Sequence, residues 1–316
     1  MFFVIAGYWG KVLRHTSMDI CIDQVETFQS MPRDTFEVVA LGSSHIWKDL
    51  DTSEMYRSYG IGAYNFGAYW QHLNTTELFL DQVLATQKPK VVIIETYKVN
   101  ELLEDVDMDG EMYYTRGIRN STQKISYLNR CFGTDVYRYI SYMMPIFCWQ
   151  KNWESVGEAG FRLNTNTQNL YETMGYNATP YTKENITPVE LQSMDVMEQY
   201  DLSEDAIATL DHMVDMCRDN NVEVVFLMTP HGGEWNYDLA MKEYAKANDC
   251  AYYNLYEHVD EIGLDGETDY ADGGHMNDNG ARKVAIWLGK VLKEHYNLTD
   301  FRDMNETIWK QYVDGK

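Results

Sequence analysis

The chain has 316 residues, 45% hydrophobic and 14% aromatic with only 6 prolines, enough apolar surface for a large ordered core and not the composition of a disordered chain. Against 26 lysines and arginines stand 49 aspartates and glutamates, a net charge of -23. Such a surface repels phosphate backbones and anionic headgroups, so nucleic acid is excluded as a partner.

The first nine residues are apolar, too few to span a bilayer, and are followed by Lys11 and Arg14. Two readings stand: a packed strand or helix, or the tail of a membrane anchor that begins outside this sequence, since aromatic residues followed by basic ones mark membrane interfaces. Residues 1–35 are taken as this N-terminal segment.

From residue 36 the pattern becomes regular. Residues 36–41 read as a continuous apolar strand, 47–59 as a short helix and 63–66 as a second strand. Leu78, Phe79, Val83 and Leu84 recur at helical spacing within 74–86, and the Lys88-Pro89-Lys90 turn leads into a third strand at 91–94. This β-α-β-α-β run predicts a parallel sheet. The alternation stops between 98 and 202, a length far above ordinary connections, where many tyrosines and tryptophans and a helical period near 121–158 predict a largely helical insertion. It resumes with a helix from Ser203, a plausible N-cap, to about 219 and a strand at 222–228. A helix near 235–248, a strand at 251–254 and a last helix after Asp278 follow. The expected architecture is a three-layer α/β/α sandwich with a core of 36–97 and 203–295 and a C-terminal tail of 296–316.

In open α/β sheets the chemistry gathers outside the carboxyl ends of the strands. The first strand runs into Gly42-Ser43-Ser44-His45, whose small residues permit a turn that lifts a serine hydroxyl clear of the backbone. The second ends at Asn65-Phe66-Gly67, where a glycine lets backbone N–H groups approach a developing oxyanion. The third ends at Glu95-Thr96-Tyr97, with Glu95 a carboxylate able to brace the site, and the fourth at Thr229-Pro230-His231. Near the chain's end Asp272-Gly273-Gly274-His275 precedes the last helix, so one turn carries an imidazole and the carboxylate that orients it. Nucleophile, acid and base thus follow in the order Ser44, Asp272, His275. His45, Asn65, Tyr97 and His231 are candidate pocket residues.

Each fragment alone reads more simply as a capped turn, a turn glycine or an incidental histidine. Together they resemble the SGNH, or GDSL-like, hydrolase superfamily: Gly42-Ser43-Ser44 its first block, Asn65-Phe66-Gly67 its oxyanion-glycine block, and Asp272-Gly273-Gly274-His275 its final Asp-x-x-His block. The resemblance covers the core and not the insertion. It implies a flavodoxin-like fold, a Ser44–His275–Asp272 triad, an oxyanion hole from the N–H groups of Ser44 and Gly67, and no metal or other cofactor. Ser43 replaces the usual aspartate of the first block, and no Gly-x-Asn-Asp follows the third strand, so the side-chain oxyanion donor of standard members is missing. Gln71, four residues after Gly67, is the candidate replacement.

A Gly-Ser-Ser block without that asparagine is similar to a subgroup related to teichoic-acid D-alanyl transfer and alginate O-acetylation proteins. That likeness implies ester hydrolysis or O-acyl transfer, such as acetyl transfer, on a cell-surface glycan. It also implies an acylated glycan or small ester as substrate, a membrane-bound O-acyltransferase as partner and an extracytoplasmic, membrane-anchored location. Two other readings stand beside it: a catalytically weak glycan-binding or assembly protein, and a cytoplasmic carboxylesterase or lysophospholipase.

Overall fold

Short runs rich in valine, isoleucine, leucine and phenylalanine, buried along nearly their whole length, form the strands β1 (Val38–Leu41), β3 (Val91–Glu95) and β4 (Glu223–Met228); the buried Ala-Tyr-Asn of β2 (Ala63–Asn65) and the more polar β5 (Ala251–Asn254) close the two edges. The structure, a computed structural model, describes residues 2–14, 20–101, 113–144, 146–156, 167–179, 191, 199–231, 237–305 and 307–314. All strand pairs are parallel and the order is β2-β1-β3-β4-β5. The connection from β1 goes outward to β2 and then returns past β1 to β3. The order therefore reverses between β1 and β3, and the crevice at their carboxyl ends is where ligands of such sheets bind.

The core helices are α1 (Ser44–Asp49), α2 (Thr52–Tyr59), α3 (Leu73–Thr86), α4 (Glu204–Asp219), α5 (Asp238–Ala247) and α6 (Asp278–His295). Alternation along the strands sends Val38, Ala40, Val91, Ile93, Val225 and Leu227 to one face, where they pack with Ile46, Leu50, Met55, Val284, Leu288 and Leu292 of α1, its C-terminal cap, α2 and α6. On the other face α3 lies against β1 and α4 against β4. The result is a three-layer α/β/α sandwich.

The helix expected over 47–59 is two helices. Leu50 is extended, and Asp51 restarts the chain as an N-cap by accepting the Glu54 N–H at 3.1 Å. The expected C-terminal tail is packed structure: Trp309, 1% exposed, sits among the rings of Phe36, Tyr56 and Phe301.

The chain divides into two units, Met1–Met31 with Leu103–Leu170, and Pro32–Leu102 with Tyr171–Lys316. The second contains the sheet. It includes residues 171–179, which fall inside the expected insertion: the Met174 carbonyl accepts the Asn65 N–H at 2.8 Å, and the Gly175 carbonyl accepts Trp47 Nε1–H at 3.0 Å.

The first unit groups the helices Phe2–Arg14 and Ile20–Ser30 with Thr122–Phe132, Val136–Met143 and Ile146–Trp149. Inside it the Lys124 ammonium donates to the carbonyls of Ile118 at 2.6 Å and Arg116 at 3.3 Å, and burial brings its pKa down to about 7. Among the described residues no helix is long and apolar enough to cross a membrane. Of the polar stretch 164–187, residues 164–166 and 180–187 lie outside the described residues.

Candidate active site

The turn after β1 is built around Gly42, whose φ of +149° favours glycine and whose Cα faces β3: a Cβ there would lie 2.5 Å from Glu95 Cβ. Glu95, at the end of β3, then organises the turn. Its Oε2 accepts the Ser43 N–H at 3.1 Å and the Ser43 hydroxyl at 2.8 Å, while Oε1 accepts the Tyr97 N–H. Burial raises the Glu95 pKa, and these bonds from Ser43 and Tyr97 oppose the rise. Ser43 is thereby fixed as the N-cap of α1, its oxygen also accepting the His45 N–H at 3.3 Å.

Ser44 is left facing outward as the first residue of α1. Its N–H, at the start of a helix, has no intrahelical acceptor.

The Asp272–His275 segment is a closed loop. The Ala271 N–H donates to the His275 carbonyl at 2.9 Å, beside a bridge between Tyr270 and Met276. Asp272 Oδ1 accepts the N–H groups of Gly274 and His275, each at 2.9 Å, and contacts His275 Nδ1 at 2.9 Å. Two further anchors hold the loop to the segment after β4 and to α1. Tyr270 donates its hydroxyl to the Pro230 carbonyl at 2.9 Å, and the fully buried Asp49 accepts the Met276 N–H at 2.9 Å.

Across 231 residues of sequence this loop presents His275 Nε2 at 2.9 Å from Ser44 Oγ. A hydroxyl, an imidazole and a carboxylate form one continuous hydrogen-bonded line.

Their electrostatics suit that line. Burial pulls the His275 pKa below 6.5; Asp272 opposes the shift and the Lys48 ammonium adds to it. The imidazole is therefore neutral near pH 7 and able to accept a proton. Burial works against the Asp272 carboxylate, but the Gly274 N–H, His275 and Lys48 together hold it below its ordinary range, so it stays ionised.

These groups open on a cavity of about 730 Å³ whose wall includes Ser44, His45, Lys48, Trp70, Tyr97, Lys98, Asn177, His231, Asp272 and His275. Of the expected pocket residues, His45, Tyr97 and His231 share this wall, with ring centroids 4.1 Å apart for His45–Tyr97 and 4.6 Å for both His45–His231 and Tyr97–His231. Burial lowers His231 to about 4, helped by His275 and Lys98, and burial also puts His45 well below 6.5. Both are neutral rings at pH 7.

Asn65 is a correction. It is wholly buried and outside the cavity wall: Nδ2 donates to the carbonyls of Ile46 at 2.7 Å and Leu50 at 2.9 Å, and Oδ1 accepts the Gly67 N–H at 3.1 Å. It ties the end of α1 to the end of β2.

That last bond also corrects Gly67, whose N–H is spent on Asn65 instead of facing an oxyanion. Glycine is needed there for space, because a Cβ would meet Ile46 Cγ2 at 2.7 Å and the Trp47 backbone nitrogen at 3.0 Å.

Gln71 is the third correction. Its Nε2 donates to Thr76 Oγ1 at 3.2 Å over the first turn of α3, and the side chain is buried away from the cavity wall.

Lys48, Trp70, Lys98 and Asn177 escaped the sequence reading. Helical spacing alone carries Lys48 to the site, one turn after Ser44. Lys98, 7% exposed, pairs with Glu101 at 2.5 Å and sits 4.5 Å from the Trp70 ring centroid and 4.9 Å from that of Tyr97. Among the described residues no group of three or more histidine, cysteine, aspartate or glutamate side chains is placed to hold a metal ion.

No family model matches this sequence, and no curated protein matches it. Two solved structures are similar in outline. One is a "putative acylhydrolase" from Bacteroides fragilis NCTC 9343, 12% identical over 85% of this chain and 93% of that one, with a TM-score of 0.39. The other is a GDSL-like lipase from Bacteroides thetaiotaomicron VPI-5482, 11% identical over 86% of this chain and 95% of that one, with a TM-score of 0.38. At such values the reading of the site rests on its own geometry.

Proposed function

We propose that this chain is a serine-dependent ester hydrolase or O-acyltransferase of the SGNH, GDSL-like kind. The observation that carries the reading is the line Ser44 Oγ–His275 Nε2–Asp272, with 2.9 Å at each link. Ser44 attacks an ester carbonyl while His275 Nε2 takes its proton; Asp272 holds Nδ1–H and stabilises the imidazolium. Collapse of the tetrahedral intermediate returns the proton to the departing alcohol and leaves an acyl group on Ser44. His275 then deprotonates the acceptor, water in a hydrolase and a sugar hydroxyl in a transferase. The Ser44 N–H at the head of α1 is the backbone donor available to the oxyanion.

The finer reading rests on the resemblance of the Gly-Ser-Ser block. In it the substrate is an acylated cell-surface glycan, the chain works outside the cytoplasm, and a membrane-bound O-acyltransferase supplies the acyl group. A catalytically weak glycan-binding protein is the second reading, favoured by the loss of Gly67 and Gln71 as oxyanion donors.

A fluorophosphonate probe tests the proposal. Labelling mapped to Ser44, absent in Ser44→Ala and His275→Ala, is the expected result; an unlabelled chain, or labelling at another serine, overturns it.

A further inference from the structure

Lys48 stands out in the cavity wall because, among the described residues, no carboxylate closes on its ammonium as an ion pair. It lies four residues after Ser44 in α1, so the two side chains project from the same face, and both line the cavity. Although acidic residues outnumber basic ones by 49 to 26, the Lys48 ammonium enters no ion pair and no hydrogen bond among the described residues. Its sequence neighbour Asp49 feels its charge but forms no ion pair with it, being turned inward onto the Met276 N–H. Asp272, the only carboxylate in the wall among the described residues, is committed to His275 and to two backbone N–H groups. Lys98, the other cation there, is already matched by Glu101.

The Lys48 ammonium is therefore a cationic point in the cavity wall of a molecule whose overall charge of -23 repels anions. A lysine without a partner is unremarkable on an open surface. On a concave wall beside the nucleophile it leaves one strong donor set aimed at whatever occupies the cavity, and an ammonium behaves there as a point charge for an anionic group.

We propose that Lys48 determines specificity for an anionic ester: a carboxylate or phosphate of the substrate seats on the Lys48 ammonium while the substrate's carbonyl meets Ser44. This rests on the reading of Ser44 as nucleophile. Residues four apart on a helix place their Cβ atoms about 5–6 Å from each other, so the charge belongs a short chain away from the carbonyl.

The test compares 4-nitrophenyl hemisuccinate with the neutral 4-nitrophenyl butyrate. The ratio of their kcat/KM values should fall about tenfold in Lys48→Gln, the scale of one hydrogen bond to a charged group, chiefly through the KM for the hemisuccinate. It should fall further in Lys48→Glu and recover in Lys48→Arg, and high salt should shrink the wild-type preference. An unchanged ratio in Lys48→Gln and Lys48→Glu, with both esters still cleaved, overturns the role of Lys48 and leaves the serine mechanism standing.

If neither ester is cleaved and the fluorophosphonate leaves Ser44 unlabelled, the serine reading fails and equilibrium binding decides for Lys48. Succinate and phenyl phosphate are titrated into Ser44→Ala, read by fluorescence of the wall residues Trp47 and Trp70. Binding lost on adding Lys48→Gln supports the inference, and the tighter of the two anions separates a carboxylate from a phosphate ligand. Binding of neither, or binding indifferent to Lys48, overturns it.

Discussion

The ends of β1 and β2 are neighbours in the sheet and each carries a glycine close to a small polar side chain, Gly42-Ser43-Ser44 and Asn65-Phe66-Gly67. At the first, the polar groups divide the labour. Ser43 is consumed by Glu95 and by the cap of α1, which leaves Ser44 facing His275 at the cavity. At the second, everything is consumed: the Asn65 amide and the Gly67 N–H close on each other and on the end of α1. One strand end presents a hydroxyl to the cavity and the other holds the helix that presents it. The difference lies in where partners stand in space, since a motif of small polar residues suits either role.

The largest effect expected from this contrast is at Ser44. Ser44→Ala and His275→Ala should each lower ester cleavage on the order of 10⁴-fold, with the double variant little worse than either single, because the two act as one unit. Steady-state rates on a short-chain ester measure this. Independent multiplicative losses would break the comparison at its first term.

Substitution at the second strand end should act on stability. Asn65→Ala strips partners from the buried carbonyls of Ile46 and Leu50 and from the Gly67 N–H, at about 1–3 kcal/mol for each group left unsatisfied. Chemical denaturation should show a lowered midpoint, while fluorophosphonate labelling per folded molecule at low temperature persists. A variant of wild-type stability that no longer labels would instead put Asn65 in the chemistry.

What was legible in the sequence follows the same division. The sheet could be read because apolar runs such as Val91–Glu95 mark strands whatever their neighbours do. Ser44, Asp272 and His275 are singled out because few residue types can serve as nucleophile and base, and the fold brings them within hydrogen-bond distance. The Asn65–Gly67 bond was not legible, because an asparagine two residues before a glycine reads equally as a turn or as a donor set. Nor was the return of residues 171–179 to the sheet unit, which depends on long-range bonds such as Trp47 Nε1–H to Gly175. Lys48 was hidden for the opposite reason: its significance is the lack of a close ion pair among the described residues, which only three-dimensional placement reveals.

A smaller effect is expected in the pH profile. His275 must be neutral to accept the Ser44 proton, and it faces Asp272, Lys48, His45 and His231. Burial lowers its pKa, Asp272 offsets part of this and Lys48 lowers it further, so kcat/KM should rise along an acid limb centred below 6.5. Removing the positive charge in Lys48→Gln should move that limb toward higher pH. A limb above 6.5 in the wild type would mean that solvent or Asp272 outweighs burial at this imidazole.

The smallest effect is expected at Gln71, where a role in the oxyanion hole and a role in the first turn of α3 predict different outcomes. A side chain donating to the oxyanion would cost about 2.7–4 kcal/mol in the transition state when removed, a fall in kcat of on the order of 10²–10³. The observed Gln71 instead donates to Thr76 Oγ1, which in turn donates to the His72 carbonyl, and its own Oε1 is buried without a hydrogen-bond partner among the described residues. Truncation to alanine removes one bond of modest length and also an unsatisfied acceptor, two changes of opposite sign. Gln71→Ala should therefore keep kcat within about twofold of wild type and shift stability by no more than about 1 kcal/mol. Rates at saturating ester together with a denaturation midpoint separate the two roles. A hundredfold loss of kcat at unchanged stability would return Gln71 to the oxyanion hole and require its amide to swing from Thr76 toward Ser44 when substrate binds.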